Sequence, residues 1–88
     1  NDSDYYGNRG IMKSKLGDYY GAISDYNKAI KINPTNKIDV SNRGNAKYYL
    51  GDIKGACDDW RKASALRNEL AAKSVSSHCQ RKTLIIYK

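Results

Sequence analysis

Apolar residues recur along this chain at helical rather than strand spacing. After Gly17-Asp18, the residues Ala22, Ile23, Tyr26, Ala29 and Ile30 fall one or three positions apart, which draws one stripe on an α-helix. Ala56, Cys57, Trp60 and Ala63 draw a second such stripe. Leu70, Ala71, Ser74, Val75 and His78 draw a third. The pattern predicts five helices. The first runs from Tyr5 to Leu16 and the second up to Asn33-Pro34. The next two span Ile38 to Leu50 and Ile53 to about Leu66, and the last ends between Cys79 and Thr83. Gly17 supplies a left-handed cap and Asp18 an acidic helix start. Pro34 stops the second helix because its ring excludes the preceding residue from helical geometry.

Sliding the chain by 34 residues superposes it on itself. Asn8-Arg9-Gly10 meets Asn42-Arg43-Gly44, Leu16-Gly17-Asp18 meets Leu50-Gly51-Asp52, and Gly21-Ala22 meets Gly55-Ala56. Lys13, Asp25, Lys28 and Ala29 also find their own kind, at Lys47, Asp59, Lys62 and Ala63. That makes 12 identities over 30 aligned positions, a duplication of one helical hairpin. Asn68 falls where Pro34 does and is read as a left-handed cap, a role for which asparagine ranks after glycine.

Composition narrows the function classes. At 88 residues the chain holds one small domain. Its 40% hydrophobic and 28% charged residues argue against wholesale disorder. The longest strongly apolar run, Leu84-Ile85-Ile86-Tyr87, is far short of the ~20 residues that span a membrane. We expect no membrane span and a cytoplasmic location. Because the chain opens on Asn1 rather than Met, we read it as a piece of a longer protein. The net charge of +7 is uneven: Arg61, Lys62, Arg67, Lys73, Arg81, Lys82 and Lys88 face only Glu69 in the last third. An electrostatic binder of nucleic acid or of an acidic surface is therefore the alternative reading, although no zinc-finger or RNA-binding signature accompanies the charge.

No residues are spaced for chemistry. There is no paired-carboxylate cleft and no nucleophile with a base at helical spacing, and Gly7-Asn8-Arg9-Gly10 lacks the strand that precedes a phosphate loop. We expect no enzyme, no cofactor and no metal, since two cysteines and one histidine cannot complete a zinc site. Cys57 and Cys79 lie on the fourth and fifth helices. They could reach the ~5.5–6 Å between Cα atoms that a disulfide needs, or remain free thiols that pack as small hydrophobes. His78 reads as a surface or cap residue.

The 34-residue period resembles the tetratricopeptide repeat (TPR). The residues that carry the likeness are the small Gly10 and Gly44, the alanines 22, 29, 56 and 63, the aromatics Tyr26 and Trp60, and the closing Pro34. The resemblance implies an all-α fold, a TPR-type solenoid of two helical hairpins plus a capping helix. Its divisions are repeat 1 over residues 5–34, repeat 2 over 39–68, a capping helix over 69–82 and an apolar-basic tail over 83–88. Arg9, Arg43, Lys13 and Lys47 depart from the family pattern. Arg9 and Arg43 either pair with Asp25 and Asp59 on the neighbouring helix or snorkel to water.

The resemblance also implies a scaffold for protein–protein contacts, with a peptide or partner helix held in a concave groove. The groove residues would be Asp4, Asn8, Ile11 and Lys15 from the first unit and Ile38, Ser41, Asn42, Asn45 and Tyr49 from the second. Asn8 and Asn42 would grip a ligand backbone. Gly7 and Ile11 stand where chaperone-binding TPRs place a clamp lysine and asparagine, so that partner is not expected. A purely structural or oligomerisation module is a further alternative. Tyr5, Tyr6, Ile11, Met12 and the Leu84–Tyr87 run sit at the ends of the stack. They predict weak self-association or cover by further repeats.

Overall fold

A computed structural model describes residues 1–79. They form five helices and, among the described residues, no strand: α1 (Asp2–Lys15), α2 (Tyr19–Ile32), α3 (Lys37–Tyr49), α4 (Ile53–Ala65) and α5 (Glu69–His78). Each helix packs on its predecessor, so α1–α2 and α3–α4 are hairpins and α5 covers α4. The fold is an all-α solenoid. The run 84–87 lies outside the described residues.

The helix boundaries follow from where backbone N–H groups find partners. Gly17 and Gly51 take positive φ values of 83° and 87°, the left-handed turn that glycine adopts without strain. The next residue caps the following helix: Asp18 accepts from the N–H of Gly21 and Asp52 from that of Gly55, both at 2.9 Å. Two expectations need correction. Asn68 is not the left-handed residue of the third turn. Arg67 is, at φ 72°, while Asn68 is extended and accepts from the Ala71 N–H at 2.9 Å to cap α5. Leu66-Arg67-Asn68 thus repeats the Leu-Gly-Asp turn with arginine in the glycine's place. The first helix also begins at Asp2 rather than Tyr5. Asn1 accepts from the Asp4 N–H, and Asp2 and Asp4 place negative charge at the positive end of the helix dipole. At the other end α5 runs to His78 with Cys79 as its cap, and residues 80–82 lie outside the described residues.

Small and large residues interlock across each hairpin. A Cβ added at Gly10 would stand 2.7 Å from the Tyr26 ring, and one at Gly44 2.9 Å from the Trp60 ring. Alanines 22, 29, 56 and 63 are fully buried. Only hydrogen or methyl side chains let these helices approach so closely, and the aromatic fills the volume they leave.

Between the hairpin helices lies a buried carboxylate, repeated once per unit. Asp25 is 1% exposed. Arg9 Nε and Nη2 each donate to it at 2.8 Å, and Lys13 Nζ stands 3.2 Å away. In the second unit Arg43 donates to Asp59 at 2.9 and 2.7 Å and Lys47 Nζ stands at 3.0 Å. The arginines pair in the bidentate geometry that suits a guanidinium. The lysines, which departed from the family pattern without an evident role, complete the same cluster. Arg9 holds the Asp25 carboxyl below the ordinary carboxylate range against the opposing effect of burial, and Lys13 reinforces it. The two clusters differ in surroundings. Arg43 Nη1 reaches back to Asn27 Oδ1 of the first unit at 2.9 Å, whereas Arg9 Nη1 bonds Tyr5 of its own helix. Arg9 is accordingly 39% exposed and Arg43 17%.

Removing a carboxylate leaves two cations facing apolar surroundings. Asp59→Ala should lower the free energy of unfolding by about 3 kcal/mol, as read by urea titration. Asp25→Ala should cost less, because Arg9 and Lys13 can turn to water. With its folded pKa depressed, Asp25 contributes stability that is present above the ordinary carboxylate pKa and lost as the pH falls through the lower, folded value.

Candidate functional site

One face of the stack carries a groove across α1, α3 and α5. It contains two adjoining cavities. The first, of about 450 Å³, lies between α1 and α3 and is walled by Ile11, Ser14 and Lys15 on one side and by Asn42, Asn45 and Tyr49 on the other. Tyr19 closes its end and Tyr26 its floor. The second, of about 340 Å³, lies between α3 and α5, with Ile38, Ser41, Asn42 and Asn45 facing Asn68, Leu70 and Ser74. Asn42 and Asn45 border both cavities because positions three apart share a helix face.

The side chains are held in distinct ways. The Tyr19 ring stacks on Tyr49 at 5.2 Å and 20°, and Tyr48 meets Tyr49 edge-on at 5.8 Å. Trp60 Nε1 donates to Asn45 Oδ1 at 2.9 Å, which leaves Asn45 its two N–H donors and one further lone pair on the oxygen. Asn42 borders both cavities and makes no side-chain hydrogen bond among the described residues. Lys15 is the one charged residue lining either cavity.

Of the residues expected in the groove, Ile11, Lys15, Asn42, Asn45 and Tyr49 come together at the first cavity. Ile38 and Ser41 join the asparagines at the second. Asn8 and Asp4 are exposed on α1 and line neither. Tyr19, Ser14, Tyr26, Asn68, Leu70 and Ser74 were not expected there. Leu70 falls on the same helical stripe as Ala71, Ser74, Val75 and His78, yet it is 73% exposed. Ala71 is the buried residue, since a methyl group permits the closer approach. The Ala71/Val75 spacing carried that signal. His78 is exposed, and its ring lies 4.8 Å from Tyr48 and 5.6 Å from Trp60.

Beside the groove, at the first turn of α3, Asp39 presses its carboxylate against Gly7 of α1, where an added Cβ would stand 2.7 Å from Oδ1. It is 5% exposed, and burial, reinforced by the charge of Asp4, pushes its pKa up. On the opposite edge Cys57 and Cys79 meet with Cα atoms 5.8 Å apart and their sulfurs joined. Among the basic residues, Arg61 reaches the Cys79 carbonyl at 3.3 Å and Asp58 at 4.0 Å. Lys62, Arg67 and Lys73 are exposed, while Arg81, Lys82 and Lys88 lie outside the described residues. The described residues contain no cluster of three or more side chains able to hold a metal. None of their helices is long and apolar enough to cross a membrane.

Residues 3–36 match the family model described as tetratricopeptide repeat. Those 34 residues of the chain's 88 are the first hairpin, α1 and α2 with the turn that follows. A stretch of 36 residues, 41% of the chain, is 56% identical to the TPR repeat-containing protein MJ1428 of Methanocaldococcus jannaschii. That stretch amounts to 6% of the archaeal protein's length. TPR repeats generally mediate protein–protein contacts and are typically non-catalytic scaffolds. The second unit keeps the glycine, alanine and aromatic positions of the first and builds the same hairpin and the same charge cluster.

Asp39 generates a prediction opposite in sign to that for Asp25. A carboxyl whose folded pKa is raised costs stability wherever it is ionised. Asp39→Asn should therefore stabilise the chain at neutral pH by roughly 1 kcal/mol. The gain should disappear as the pH falls below the ordinary aspartate pKa. Thermal unfolding across that pH range measures it.

Proposed function

We propose that this chain is an interaction module that holds an extended peptide of another protein along α1, α3 and α5. The observation that carries the reading is the pair Asn42 and Asn45, set side by side between two open cavities. A peptide backbone presents alternating N–H and C=O groups with side chains to either side. Amides at the ridge and sockets on each flank suit that pattern. Residues 5–34 and 39–68 form its two units, and the helix beginning at residue 69 completes the second cavity. Asn8 extends the amide row along α1. Lysine and asparagine are missing at positions 7 and 11, which speaks against a chaperone-tail clamp. We also infer that Cys57 and Cys79 are bonded in an oxidising medium and tether α5 to α4, so that Leu70 and Ser74 stay in place.

Two measurements test the reading. A library of labelled, random-sequence peptides supplies ligands. Replacing Asn8 and Asn42 together with Ala should weaken the peptides selected from it by ~1–3 kcal/mol, as for hydrogen bonds lost to a buried backbone. The unfolding midpoint should hardly move, because neither side chain has a partner among the described residues. Unchanged affinity would sink the groove reading. For the cysteines, alkylation of the native protein followed by mass spectrometry should leave both untouched until a reductant is added. Two alkylated thiols before reduction would show that the bond is absent.

A further inference from the structure

The two cavities differ in chemistry, and that difference specifies a ligand. The first is aromatic and carries a charge. Tyr49 is 65% exposed even though one of its faces is stacked on Tyr19, so a large rigid apolar surface stands open to the groove. Ile11 faces it from α1. Such a socket is filled best by a flat or bulky side chain, because rings offset or set edge-on against a tyrosine gain beyond the area they cover. Lys15 stands at its rim as the sole charge lining either cavity, in a chain whose net charge is +7. The second cavity is bordered by Ile38 and Leu70 with serine and asparagine between, and it offers nothing to a charge.

Building on the groove reading, we propose that this groove selects a peptide in which a large aromatic or aliphatic side chain is followed closely by an acidic one. The aromatic residue enters the socket between Tyr49 and Ile11, and the acidic side chain meets Lys15. The uncharged residues on the far side of the asparagines lie against Ile38 and Leu70. The carboxylate belongs to an Asp or Glu side chain rather than to a chain terminus. Capture of a terminal carboxylate uses several convergent donors, whereas Lys15 is one exposed point charge that repels bases and favours acids. Direction along the groove is set by Asn45. Its oxygen accepts from Trp60, which fixes the orientation of the amide, and its N–H donors take one ligand carbonyl. Trp60 is the only tryptophan, and that hydrogen bond makes its emission a built-in report of occupancy.

The test uses fluorescein-labelled peptides with amidated C-termini, each carrying one aromatic or alanine position beside an acidic, neutral or basic one. Binding is followed by anisotropy and by Trp60 emission. Aromatic–acidic peptides should bind at least ~10-fold more tightly than aromatic–basic ones at low salt. Lys15→Glu should reverse that order. Tyr49→Ala should remove at least ~10-fold of the preference for the aromatic over alanine. Tyr49→Leu, which keeps an apolar wall, serves should the alanine variant unfold, and it should reduce the preference for aromatic over aliphatic residues. Peptides that bind, weaken with Asn42→Ala and yet show no aromatic or acidic preference would overturn this specificity and leave the groove standing. Binding only by peptides with free C-termini would overturn the side-chain assignment. Binding indifferent to Asn42→Ala, or no binding by any peptide, would overturn both.

Discussion

A carboxylate buried between two helices must be neutralised where it stands, and that requirement organises both hairpins. Asp25 and Asp59 each take two hydrogen bonds from an arginine and an ion pair from the lysine one turn further along the same helix. An apolar contact between hairpin helices tolerates sliding; a bidentate arginine does not, because its fork fits one height on the partner helix. The rows of small residues are thereby held opposite their aromatics, Gly10 under Tyr26 and Gly44 under Trp60. With that register set, the outer face of α3 turns Asn42, Asn45 and Tyr49 toward α1 and α5, and the groove exists.

The floor of that groove is not independent of the core. Tyr26 is buried, yet it reaches the first cavity, and its hydroxyl lies 3.4 Å from Ser14. Trp60 is buried and holds Asn45 from beneath. The aromatics that make the hairpins pack also present and orient the polar groups at the surface. An interaction surface set on helices in this way keeps its shape before a ligand arrives, which limits the ordering cost of binding.

Much of this was legible in the residues. The 34-residue duplication marked the hairpins, and the recurrence of Arg9/Asp25 as Arg43/Asp59 made an ion pair one of two readings. What escaped had physical causes. Lys13 and Lys47 recur with the same regularity, but sequence alone does not say that one acid serves two bases. Arg67 adopts a backbone conformation that glycine holds elsewhere in the chain, so the residue type pointed to Asn68 instead. Tyr19 reaches the groove from the first turn of α2, across a hairpin boundary, where helical periodicity carries no information. Leu70 and Ala71 are neighbours on α5, and the larger residue lost the inner position to the smaller because close helix approach rewards a methyl group. Apart from Ser14 and Ala46, the groove residues on α1 and α3 followed from the likeness to the repeat family, while those contributed by α2 and α5 did not.

The spare donor of each arginine makes the two units unequal partners. Arg9 spends it within its own helix, on Tyr5. Arg43 spends it across the seam, on Asn27. Dissolving the second unit would leave the first cluster fully bonded, but dissolving the first would strip a hydrogen bond from the second. The dependence runs one way along the chain, from the later unit to the earlier. The linear array therefore has a polarity that the likeness of its repeats conceals. A single amide on α2 thus completes the bonding of the next unit's arginine.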